Sequence, residues 1–138
     1  MQCLPKGAAG CRGESQDDKI VAELVGKTAE SDRRGVLAYA LPYQGSEIVV
    51  MYDRVGLAAG KFSRVGSVLG HVLAHEIERL LQGFARHSEP GVMKARWDAK
   101  DFDLMTYRPL SFTSEDIVFI QIGMAQRDWW PRRVLVGR

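Results

Sequence analysis

The chain has 138 residues, 46% of them apolar and 26% charged, which is material for one hydrophobic core of ordinary globular kind. With 19 Lys and Arg against 17 Asp and Glu, the net charge of +2 is too small for the basic footprint of a nucleic-acid binder. No window holds the roughly 18 or more consecutive apolar residues of a membrane span, so neither nucleic acid nor membrane is an expected partner.

Residues 1–18 are rich in Gly, Ser and charge, offer little to bury and read as a loop-like end. Cys3 and Cys11, the only cysteines, suit either a disulfide across that loop or two thiols. They lack the Cys-x-x-Cys spacing of a zinc site. The start, Met1-Gln2-Cys3-Leu4-Pro5, lacks the basic and then apolar run of a secretory signal. Either the protein stays inside the cell or an exported precursor has lost its beginning.

Ile20 to Val25 alternates weakly and predicts a strand, followed by a polar connection from Lys27 to Arg34. Gly35 to Leu41 and Glu47 to Tyr52 are apolar and rich in Val, Ile and Tyr, with turn residues from Pro42 to Ser46 between them. A β-hairpin is expected there. From about Ser63, Val65, Leu69, Val72, Leu73, Ile77, Leu80 and Leu81 recur at steps of three and four, the pattern of an amphipathic helix that Gly83 is placed to end. Residues 84–111 show no sustained period and should be turns and loop with one short element at most. Thr113 or Ser114 can cap a last helix with Glu115 and Asp116 in its first turn and Ile117, Ile120 and Met124 as a buried stripe. Pro131 should stop it, leaving 129–138 as a loop-like end. The expected class is α+β: a small mixed sheet with one long helix and a C-terminal helix, in a single domain over 1–138.

All three histidines, His71, His75 and His87, fall within 17 residues. At about 100° per residue, His71, His75, Arg79 and Gln82 form one polar stripe on the helix, apart from its apolar face. Glu76 follows His75 as in the His-Glu-x-x-His helix, where two imidazoles one turn apart hold zinc and the glutamate is general base. The second histidine position is Arg79. Gly83 then allows a sharp turn, and His87 and Ser88 return from a loop ahead of Gly91-Val92-Met93 and Trp97.

This order resembles the metzincin zinc peptidases, and specifically a group of small bacterial metzincin-like proteins. His75, Glu76, Leu80, Leu81, Gly83, His87, Ser88, Gly91, Met93 and Trp97 fit that group in register, including its four-residue step from Gly83 to His87. Gly35 to Pro42 is similar to the hairpin before the active-site helix, and Ser111 to Gly123 to the final helix, so the likeness covers roughly residues 35–125. The resemblance implies peptide-bond hydrolysis, with zinc held by His75 and His87, Glu76 as catalytic base and Met93 in a Met-turn. It further implies that Ile48, Val50 and Tyr52 belong to the edge strand that receives a peptide or protein substrate. Domains of that family also have a helix and a strand upstream of this chain's first residue, which implies an incomplete domain.

Arginine carries only donors and stays protonated, so Arg79 removes a ligand. Glu78, three residues from His75, is the first candidate substitute, and His71 ranks below it. Two functions follow: a zinc peptidase weakened by Arg79, or a pseudopeptidase that binds peptide or protein in the same cleft. A degraded gene product is the third reading.

Overall fold

A computed structural model describes residues 19–30, 34–40 and 46–136, without the side chains of 127–136. Strands β1 (Val21–Val25), β2 (Ala38–Ala40) and β3 (Glu47–Met51) form a mixed sheet in the order β1-β3-β2. β3 runs parallel to β1, with Val21 opposite Glu47, and antiparallel to β2, with Ala38 opposite Val50. Side chains alternate along a strand, so Ile48 and Val50 share one face and are wholly buried, while Val49 looks the other way. The strand and hairpin expectations are thus met. The turn residues 41–45, and Cys3 and Cys11 with residues 1–18, lie outside the described residues.

One strand assignment needs correction. Ile48 to Tyr52 was expected at the edge of the cleft, but β3 is the central strand, hydrogen-bonded on both sides. Its β-branched residues suit an interior position. Tyr52 is not in the strand at all but opens helix α1 (Tyr52–Ala59).

The chain passes from β3 into α1 without a loop, an element the sequence reading lacked. Asp53 in its first turn accepts from the backbone N–H and hydroxyl of Thr28 at 2.8 and 2.6 Å, tying α1 to the segment after β1. Gly60, at φ 71°, ends α1 in the left-handed region. Helix α2 (Phe62–Gln82) follows and buries Val68, Val72 and Leu80 against Ile48, Val50, Val55 and Ala59. Each fully buried side chain of this kind contributes about 1.5–3 kcal/mol. α2 stops at Gly83, whose φ of 80° and N–H to the Arg79 carbonyl make the expected helix end.

Helix α3 (Ala99–Tyr107) starts with a capping box between Asp98 and Asp101 and adds Met105 to the core. Helix α4 (Ser114–Val136) starts with a reciprocal pair: the Thr113 N–H donates to Asp116 at 2.7 Å and the Asp116 N–H to the Thr113 hydroxyl at 3.1 Å. It continues through Pro131, where a stop was expected. A proline inside a helix forfeits one backbone bond and crowds the preceding turn, a cost of about 3 kcal/mol, but it need not end the helix. The buried stripe is also shifted. Ile117 and Met124 are about half exposed, Ile120 is partly buried, and the buried positions among the described side chains are Asp116 and Gly123. The reason is backbone approach: a Cβ on Gly123 would run into the carbonyl of Leu81, so α4 lies against α2 along its glycine. No helix among the described residues is long and apolar enough to cross a membrane.

Candidate functional site

α2 carries the site because its apolar stripe binds the sheet while His75, Glu76 and Arg79 face a cleft. That cleft, about 560 Å³, lies between β2 with the residues before it, α2, and the segment from Lys94 to Trp97. His75, Glu76, Arg79 and His87 all line it, so four residues singled out by spacing are brought together. The ring centroids of His75 and His87 are 5.5 Å apart.

His75 is oriented from behind. Its Nδ1 lies 2.8 Å from the carbonyl oxygen of Val92, which can only accept, so Nδ1 carries the proton and Nε2 is left to the cleft. Burial, partly offset by that bond, pulls its pKa down to about 4, so the ring is neutral at ordinary pH. Trp97 stands edge-on to it at 5.8 Å. The turn that supplies Val92 closes with the Lys94 N–H on the Gly91 carbonyl at 3.2 Å, and Met93 within it is wholly buried. Gly91, at φ 92°, is required there because a Cβ would meet the Ser111 carbonyl. Met93 thus sits in the tight turn whose Val92 carbonyl holds His75.

Glu76 accepts from the backbone N–H of Ala40, and Arg79 Nη1 donates to its Oε2 at 3.4 Å. Burial raises its pKa, and the Arg79 charge and the Ala40 bond pull it back. Arg79 therefore turns back along α2 to Glu76. It stays in the cleft, its side chain 17% exposed and its Nε buried without a hydrogen-bond partner among the described residues. His87 is exposed on its loop, and burial followed by the Arg79 charge lowers its pKa.

Glu78 is not in this cleft. It is 1% exposed, accepts from Gln82 Nε2, and has Asp116 and Arg86 as its charged surroundings. Burial first and the Asp116 charge second push it up to about 7. A step of three residues rotates a side chain some 60° around the helix, which here turns Glu78 from the cleft toward α4. The proposed substitute ligand is corrected on that ground. His71 is also engaged elsewhere: its Nδ1 lies 2.7 Å from the Ser67 carbonyl and its Nε2 accepts from the Leu110 N–H at 2.9 Å. Among the described residues no group of three His, Cys, Asp or Glu side chains is arranged for a metal ion. The donors present are two imidazoles and a carboxylate already bonded to a guanidinium, which does not fit the three-ligand zinc site implied by the resemblance.

Three contributors escaped the sequence reading. Asp116, wholly buried, accepts from Arg86 at 2.8 Å and from the Ser88 hydroxyl at 3.2 Å, which fastens the His87 loop to the start of α4. Burial raises its pKa, but the bonds from Thr113, Arg86 and Ser88 outweigh this and hold it below the usual carboxylate range. Arg96 lies on the cleft rim. β2, rather than β3, is the strand at the edge of the cleft: Leu37 bonds to β3 through Met51, so the backbone of Ala38 turns outward. Acidic residues at a helix start and basic residues in a loop are common, and only their placement marks these. No family model, curated protein or solved structure matches the chain.

Proposed function

We propose that this chain is a metzincin-like domain whose cleft receives an extended peptide segment of another protein and does not hydrolyse it. The observation that carries this reading is the seating of Arg79 on Glu76: a fixed cation occupies the ligand position, and the would-be general base is its partner. An extended peptide suits the cleft because β2 is an edge strand, and the outward backbone of Ala38 can pair with it as a further strand. Trp97, Val72 and Phe102 supply apolar walls for side chains.

The hydrolytic reading keeps one observation in its favour, the approach of His75 and His87 to 5.5 Å with Nε2 of His75 unprotonated. Zinc content after purification with zinc present, measured beside cleavage of a mixed peptide pool, decides between them. Wild type is expected to carry well under one zinc per chain and to cleave nothing. Arg79→His restores the third imidazole and is expected to bind zinc stoichiometrically. Stoichiometric zinc with cleavage by wild type overturns the non-hydrolytic reading, and a histidine variant that also refuses zinc overturns the metzincin likeness.

A further inference from the structure

We propose that the cleft grips a carboxylate of its peptide ligand between Arg79 and Arg96, an inference that rests on the peptide-binding reading above. Both arginines line the same cleft. A guanidinium has five N–H donors, and among the described residues Glu76 is the one hydrogen-bonding partner of Arg79, at 3.4 Å, while Nε has none. Buried donors left unpaired are costly and call for a partner. Arg96, on the exposed rim, makes no ion pair among the described residues.

The charge balance favours an anion. Lys94 is paired with Asp98 and Asp101, at 3.3 and 2.7 Å, two carboxylates outside the cleft lining. Glu76, the one acidic side chain lining the cleft, is already held by the Ala40 N–H and by Arg79. Among the side chains that line the cleft, Arg79, Lys94 and Arg96 against Glu76 therefore leave a positive surplus, set among apolar walls that strengthen attraction between charges. A carboxylate matches the planar fork of a guanidinium. It can come from the end of a peptide chain or from an Asp or Glu side chain.

The test uses the whole chain and three pools of random octapeptides bearing a neutral dye at the N-terminus, followed by fluorescence polarisation. The first pool has no acidic residue and a free C-terminal carboxylate; the second is the same pool amidated; the third is amidated with one central Glu. The first or the third is expected to bind about ten-fold or more tightly than the second, as for a charge-assisted hydrogen bond. The tighter of the two identifies chain end or side chain. Arg79→Gln and Arg96→Gln should each remove most of that preference, read as the ratio of the tighter pool to the second pool within the same variant. Equal binding of all three pools overturns the carboxylate grip while the peptide cleft stands, and a preference that survives in both variants overturns its assignment to these arginines. Binding of no pool overturns both this inference and the reading under it.

Discussion

Arg79 donates to the carboxylate of Glu76 across 3.4 Å, one turn along α2, with both side chains largely withdrawn from water. Opposite charges three residues apart are neighbours on a helix surface. Exposed pairs of this kind contribute little. Here the carboxylate side chain is only 6% exposed, so losing the arginine leaves a charge that water cannot reach.

Arg79→Met should therefore push the Glu76 carboxyl further above its ordinary value, the direction in which burial already drives it. A carboxyl whose pKa is higher folded than unfolded keeps its proton in the native state while the unfolded chain loses it. Stability then falls as pH rises through that window. Urea unfolding should show a loss of about 1–3 kcal/mol at pH 8 that shrinks at pH 5, with most of it recovered by adding Glu76→Gln. A loss independent of pH would contradict the ion pair.

Glu78 follows the same sign, with burial as the first cause and the Asp116 charge added to it. Its carboxyl, buried and close to Asp116, is raised to about 7, and the unfolded value lies near the ordinary range. Its contribution to stability is most favourable below the unfolded pKa and declines from there until pH passes about 7. Glu78→Gln should match wild type near pH 4.5 and exceed it at pH 8 by up to about 3 kcal/mol, measured by denaturant midpoints at both pH values.

Gly123→Ala tests the contact of α2 with α4. On helix propensity alone alanine would add about 1 kcal/mol. A Cβ there meets the Leu81 carbonyl, a backbone atom that cannot rotate aside, so the expected outcome is a loss of about 2 kcal/mol or more. A thermal midpoint equal to or above wild type would show that the two helices do not approach this closely.

Asp116→Asn removes the charge that holds Arg86 and weakens the bond to Ser88. A loss of about 2 kcal/mol is expected, with faster amide exchange at Ser88, whose N–H donates to the Met93 carbonyl. Unchanged exchange at that amide would mean that the loop is held by its backbone alone.

Much of this was legible in the residues. The three- and four-residue steps of α2 and the position of Gly83 specify the long helix and its end, and the spacing of His75, Glu76, Arg79 and His87 brings them to one cleft. Strand order was not legible, because β-branched Ile48 and Val50 suit an interior and an edge strand alike. Pairing with β1 and β2 is non-local. α1 escaped notice because its eight residues include Gly56, bury only Val55 and Ala59, and have no side-chain cap. Glu78 illustrates a further limit: a helical wheel says that it stands beside His75, not that α4 lies against that side.

The Asp116 clamp makes the spacing of the two imidazoles a property of the whole C-terminal half. His75 is carried by α2, whereas His87 rides on a loop fastened by Arg86 and Ser88 to the first turn of α4. A ligand whose binding displaces His87 works against that fastening, and by reciprocity a change at the start of α4 alters that ligand's affinity by the same coupling free energy.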